Sequence, residues 1–244
     1  MREDFSVSSK HISSQFDADL THVSSRVLEM GGIVESQLAN AMEALNHFDL
    51  DLVDRVIAEE HRLNEMEVEI DAECNHIIAR RQPAASDLRL LMAVSKAVTN
   101  LERAGDEARK VAKRTRRIAQ NGAGKTINIA EVRIAGQLAG TTLRHALDAF
   151  ARLDATAAAR IIREDDAIDD QYRAFMRKLV TYMAEDPRTI SAALDYLFIA
   201  SAIERIGDHA TNLAELVIYV VKGRDVRHLS REQLEREALN PPAA

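Results

Sequence analysis

The stretch YLFIASAIERIGDHATNLAELVIYV, residues 196–220, decides the fold. Its apolar residues Tyr196, Ile199, Ile203, Ile206, Ala210, Leu213, Val217 and Val220 recur in alternating steps of three and four. Such a 3.5-residue stripe marks a long helix packed in a coiled-coil-like bundle. A matching stripe runs through Val94, Ala97, Leu101, Ala104, Ala108 and Val111. More than the stripe is copied. Leu101-Glu102-Arg103-Ala104-Gly105-Asp106 returns as Ile203-Glu204-Arg205-Ile206-Gly207-Asp208, polar residues and glycine included. A mid-helix glycine costs about 1 kcal/mol relative to alanine, so its repetition asks for a purpose beyond helix formation.

The duplication extends outward from these hexapeptides. Ala41–Leu45 matches Ala146–Phe150 at a spacing of 105, and Ile57, Glu60 and Leu63 match Ile162, Asp165 and Ile168 at the same spacing. The hexapeptides are 102 apart, which places one short deletion between the copies. Pattern and breaker residues predict six long helices near 16–47, 50–81, 86–120, 127–152, 155–184 and 188–222. Asp49, Asp154, Ser86 or Asp87, and Asp186 followed by Pro187 supply N-terminal caps. Asn121-Gly122-Ala123-Gly124 is the clearest stop and lies at the midpoint. Short connections imply antiparallel neighbours. The fold class predicted is all-α, two tandem three-helix bundles over 16–121 and 127–225, with loose tails at 1–15 and 230–244.

Composition agrees and narrows the function. The 244 residues include four prolines, no tryptophan and a formal net charge of −7. That charge argues against sequence-independent nucleic-acid binding. Cys74 is the only cysteine, so no intrachain disulfide forms, and it is expected to pack in a core. No apolar run reaches the length of a membrane span, and Met1-Arg2-Glu3-Asp4 does not open a signal peptide. A soluble cytoplasmic protein is expected.

The acids form two sets. Glu204 and Asp208 lie one turn apart on one helix face, as do Glu102 and Asp106. Glu60 and Asp165 intrude on the apolar seams of the second and fifth helices, where a carboxylate is costly unless paired or metal-bound. Asp169 is level with Glu204 within a turn, and Asn64 is level with Glu102. Carboxylates at one height on antiparallel neighbours make an oxygen-rich cation site, and Gly105 and Gly207 would leave room for an ion or a neighbouring backbone. Against this, exposed acids on helices are usually only solvated. The histidine spacing of di-iron bundles is absent. Gly122-Ala123-Gly124-Lys125-Thr126 lacks the first glycine and preceding strand of a phosphate loop. Arg109, Lys110, Lys113, Arg114, Arg116 and Arg117 are read as favouring the helix dipole and solvent, with docking of an acidic partner as the alternative.

The chain resembles the PhoU family of phosphate-transport accessory proteins over about Phe16 to Leu229. The resemblance rests on Glu102–Asp106, Glu204–Asp208, Arg80–Arg89, Tyr182–Asp186 and Val221–Gly223. It implies a non-enzymatic cytoplasmic adaptor, often a homodimer, that represses the phosphate-starvation response. Such an adaptor links the ATPase of a phosphate ABC transporter to a sensor histidine kinase. It also implies multinuclear binding of iron, zinc, manganese or magnesium through Glu102, Asp106, Glu204, Asp208, Asp165, Asp169 and Glu60, with Asn64 standing where an acid is expected. The C-terminal set is therefore expected to hold metal better. Alternative readings are a metal-dependent helical-bundle enzyme, a metal-storage protein or a plain scaffold.

Overall fold

The structure, a computed structural model, describes residues 14–121, 127–164, 166–227, 229 and 233. The expected loose tails and Gly122–Thr126 lie almost wholly outside these residues. The helices are α1 (Ser14–His47), α2 (Leu50–Arg81), α3 (Ala85–Asn121), α4 (Ala130–Arg152), α5 (Ala155–Glu164), α6 (Asp166–Glu185) and α7 (Ile190–Lys222). The predicted fifth helix is α5 and α6, described on either side of residue 165. A 3-10 turn, Pro187–Thr189, leads into α7.

Caps start the helices largely as their residues predict. The Asp49 carboxylate accepts from the N–H groups of Asp51 and Leu52, both at 3.0 Å. Asp154 accepts from the Ala157 N–H at 2.9 Å, and Asp186 from the Arg188 N–H at 3.0 Å. Each carboxylate satisfies a donor that the first helical turn leaves unpaired. The third helix differs: it begins at Ala85, ahead of the expected caps Ser86 and Asp87. The duplication reaches the backbone of the hairpins, where Phe48 (φ 55°) and Leu153 (φ 49°), 105 residues apart, both turn left-handed.

Helices α1–α3 form one bundle and α4–α7 the other, with α3 against α7 the most extensive contact of the molecule and α1 against α4 beside it. The predicted stripe on α7 is buried throughout. Ala193, Ala214 and Ile218 are buried as well, so α7 is apolar on more than one side. That is the pattern of a helix shared between two layers. Val94, Ala97, Val98, Leu101, Ala104, Ala108, Val111 and Ala112 do the same on α3. At roughly 1.5–3 kcal/mol for each large aliphatic side chain buried, this central pair dominates the packing energy.

The second inter-bundle contact is reciprocal. Leu147 on α4 fills the space above Gly31 on α1, where its Cδ2 would stand 2.4 Å from an added Cβ. Met42 on α1 fills the space above Gly136 on α4, with its Cε 2.5 Å from an added Cβ. Gly31 and Gly136 are 105 residues apart, as are Met42 and Leu147, so one duplicated knob-and-gap is used twice. Arg144 pairs with Glu35 at 2.8 Å, and the Arg133 Nε donates to the Asn46 side chain at 2.8 Å, flanking the contact.

Valine at either glycine is expected to lower stability by about 1–3 kcal/mol through overpacking. Gly31→Val should cost more than Gly136→Val, because branched Leu147 has fewer ways to retreat than Met42. Denaturant unfolding checks this; parental stability in both variants would contradict the reciprocal contact.

Candidate functional site: two acidic sets and an arginine ladder

The N-terminal acids come together between α2 and α3, around an arginine. Arg109 Nη1 pairs with Glu60 at 2.6 Å, and its Nη2 pairs with Asp106 at 2.9 Å. Only 18 % of the Arg109 side chain is exposed, and its Nε is buried with no hydrogen-bond partner among the described residues. Glu102 lies beside this cluster, half-buried. Burial raises its carboxyl pKa, and the nearby charges of Asp106 and Glu67 push the same way. Glu67 accepts from the Thr99 hydroxyl at 2.9 Å. Asn64, the expected neighbour of Glu102, is exposed. The acid that Glu102 feels from α2 is Glu67, seven residues after Glu60 on the same face. A heptad count from Glu60 finds it.

Gly105 has a different purpose from the expected one. A Cβ there would stand 2.4 Å from Leu63 Cδ1 and 2.9 Å from Gln37 Oε1. The space left by the missing side chain is filled by Leu63 of α2 and Gln37 of α1, not by an ion or a neighbouring backbone. Burying Leu63 returns roughly 1.5–3 kcal/mol, which outweighs the propensity cost of the glycine. Gln37 is itself anchored, its Nε2 donating to the Val56 carbonyl at 3.0 Å.

The C-terminal set is spread along α6 and α7. Asp165 lies outside the described residues. Asp169 is half-buried and pairs with Arg173, one turn on, at 2.9 Å. Glu204 is half-buried and Asp208 exposed, which matches their expected place off the apolar seam. Among the described residues, no three His, Cys, Asp or Glu side chains are gathered so as to hold a metal ion. With Arg109 between two of its three carboxylates, the N-terminal set as it stands does not fit a metal.

The basic run on α3 is not spent on the helix dipole. The helix continues to Asn121 and its last turn carries no base, whereas the dipole acts only within the last turn. Five of the run's six bases, Arg109, Lys110, Arg114, Arg116 and Arg117, are partnered instead. Arg114 reaches Asp195 on α7 at 2.8 Å and stacks over the Phe198 ring at 4.3 Å, and Arg117 approaches Asp195 at 3.5 Å. Arg116 pairs with Asp54 on α2. Lys110 and, from α7, Arg205 hold Glu107 at 2.7 and 3.4 Å. Asp195 and Glu107 are among the few buried acids of the chain. The acids are buried but their cations reach solvent, so each pair is worth less than a fully buried one. Further along, Asn100 accepts from Asn212 at 3.0 Å and meets the His209 ring at 3.1 Å. Burial pushes the His209 pKa down. Sequence patterns gave no sign of Asp195, because it sits between two apolar stripes of α7. Cys74 is buried as expected, and burial raises its thiol pKa to about 12.

Two antiparallel helical bundles packed along α3 and α7 define a duplicated all-helical fold. The description "PhoU domain" matches residues 27–115 and again 132–217. The two matches are offset by 105 residues at their starts and 102 at their ends, the spacings of the internal repeat. The chain belongs to the PhoU family. It is 55 % identical over 231 residues to a phosphate-specific transport system accessory protein PhoU homolog of Burkholderia sp, covering 94 % of this chain and 98 % of that one. Identity to the PhoU accessory protein of Escherichia coli K12 is 44 % over 228 residues, 93 % of each chain. The crystal structure of PhoU from Pseudomonas aeruginosa superposes with a TM-score of 0.83 at 48 % identity, over 86 % of this chain and all of that one. PhoU from Streptococcus pneumoniae gives a TM-score of 0.80 at 26 % identity, over 87 % of this chain and 99 % of that one.

Glu102 generates a pH prediction. Its folded pKa is raised above the unfolded value of about 4.3. The unfolded chain therefore loses this proton first, so the group's contribution to stability is present at low pH and lost as pH rises through the folded pKa. Glu102→Gln should stabilise the metal-free protein at pH 7, and the gain should shrink toward pH 4. A variant no more stable than the parent at pH 7 would contradict the strained carboxylate.

Proposed function

We propose that the chain is a regulatory accessory protein of phosphate uptake, a non-enzymatic cytoplasmic adaptor. In this reading it links the ATPase subunit of a phosphate ABC transporter to a sensor histidine kinase and represses the phosphate-starvation response when phosphate is plentiful. The observation that carries the reading is similarity along both bundles to proteins named as accessory proteins of the phosphate-specific transport system. None of the helices in the described residues is long and apolar enough to cross a membrane, so attachment to a transporter would run through a docking surface.

One surface supports such docking. Ile190, Leu194 and Phe198 stand one turn apart on α7 and are 41–50 % exposed, unlike the other large apolar residues of that helix. Arg114 and Arg117 lie beside them. An apolar row edged by cations suits an acidic, partly apolar partner surface. Homodimers are part of the same reading. So is a carboxylate-bound iron, zinc, manganese or magnesium ion, which we assign to Asp165, Asp169, Glu204 and Asp208. A divalent cation there would offset two of the four carboxylate charges, and no step of the adaptor function is routed through it.

Affinity purification with the transporter ATPase and the kinase tests the proposal. The chain should retain at least one of them, and Leu194→Ser with Phe198→Ser should weaken retention while helicity is unchanged. Deleting the gene should raise phosphate-regulon output in phosphate-rich medium. No association with either protein, together with unchanged output, would sink the adaptor reading.

A further inference from the structure

We infer that the open face of the α3–α7 pair docks a protein that is itself a two-fold homodimer, one partner subunit at each end. The two bundles are related by an internal two-fold. Leu147 meets Gly31 and Met42 meets Gly136, and such reciprocity is the signature of a two-fold contact. A two-fold that exchanges the antiparallel helices α3 and α7 stands at right angles to both, so it returns each residue to the same face of the pair. α1 packs on α3, α4 packs on α7, and α1 and α4 pack on each other. They cover one side of the pair and leave the opposite side to solvent.

That open side carries one apolar pair twice. Leu88 and Met92 stand one turn apart on α3, Ile190 and Leu194 one turn apart on α7, and the pairs are related by the repeat spacing of 102. All four side chains are 38–43 % exposed. A single exposed aliphatic is ordinary on a surface, but a pair left exposed in both copies serves no core. One turn further on, each row ends in a base over a ring. Arg114 lies over Phe198 at 4.3 Å, and Lys96 over Tyr219 at 5.7 Å. Both contacts cross from one helix to the other, which sets the two rows along the α3–α7 seam. The Arg89 Nε donates to the Val220 carbonyl at 3.5 Å and Arg114 meets Asp195, so the rows lie at opposite ends of that seam. Counted at 1.5 Å per residue, the two pairs are about 40 Å apart. A small domain is only about 30 Å across, so two partner subunits side by side reach both pairs where one would not. Between them stand Arg103 and Arg205, again 102 apart and both exposed. Cations at the centre and at both ends favour a partner whose apolar patches have acidic rims. A homodimer meets these demands because its two patches are identical and related by a two-fold of their own.

This docking rests on the adaptor reading above, and stoichiometry separates the two. The probes are the purified transporter ATPase subunit and the purified kinase, each titrated alone against the full-length chain. At least one should bind at a ratio of one chain to two partner subunits, read by light scattering on the eluted complex. Leu88→Ser with Met92→Ser should weaken that binding by at least about 100-fold, because one of two linked contacts is lost. Ile190→Ser with Leu194→Ser should weaken it by a similar factor, and all four changes together should abolish it. Val180→Ser, at an exposed apolar residue of α6, should change nothing. Circular dichroism confirms that each variant keeps its helices, as expected for changes at exposed positions. A ratio of one to one, or binding that only one end's variant weakens, overturns the two-point docking and leaves the adaptor reading standing. So does a self-associated chain that the four changes return to a monomer, since a second copy would then occupy the face. Binding by neither probe sinks the adaptor reading and the two-point docking together.

Discussion

Where α3 and α7 meet, two helices from different bundles bury each other, and the rest of the molecule is arranged around that contact. Each must be apolar toward its own bundle and toward its counterpart. On α7 this leaves apolar residues on more than one side, whereas α3 keeps a charged face beside its buried stripe. Polar groups that remain near the contact are paired across it: Arg114 with Asp195, Arg205 with Glu107, Asn212 with Asn100. A buried acid without such a partner would destabilise the pair by several kcal/mol. The pairs of Arg114 and Arg117 with Asp195, and of Arg205 with Glu107, thus fix the register of one bundle against the other.

The reciprocal contact of α1 with α4 shows how duplication simplifies this. A single knob-and-gap solution, glycine on one helix and a flexible or branched aliphatic on the other, serves both directions once the unit is copied. The acidic sets show the opposite tendency. The copies share Glu-Arg-x-Gly-Asp but differ at Asn64 against Asp169 and at Arg109 against Thr211. Packing positions have been held alike while the charge at equivalent places has drifted apart.

Much of this is legible in the sequence, for physical reasons. Periods of three and four report burial directly, so the helices, their order and the stripe on α7 can be read residue by residue. Asp49, Asp154 and Asp186 announce helix starts because capping is local chemistry. The purpose of Gly105 cannot be read this way, since it depends on Leu63 and Gln37 from two other helices. The pairing of Arg109 with Glu60 and the burial of Asp195 are likewise tertiary facts. A run of bases on a helix looks the same in one-letter code whether it faces water or three acids on neighbouring helices. The end of α3 supplied the deciding detail, because four residues without a base separate Arg117 from the C-terminus.

If α3 and α7 bind the bundles into a single folding unit, the molecule should unfold as one. Differential scanning calorimetry of the full-length, metal-free chain tests this most directly. A single transition is predicted, with a calorimetric to van't Hoff enthalpy ratio of about 1. Two resolved transitions, or one with a ratio of about 2, would mean that each bundle melts alone and that the central helix pair is not what holds the structure together.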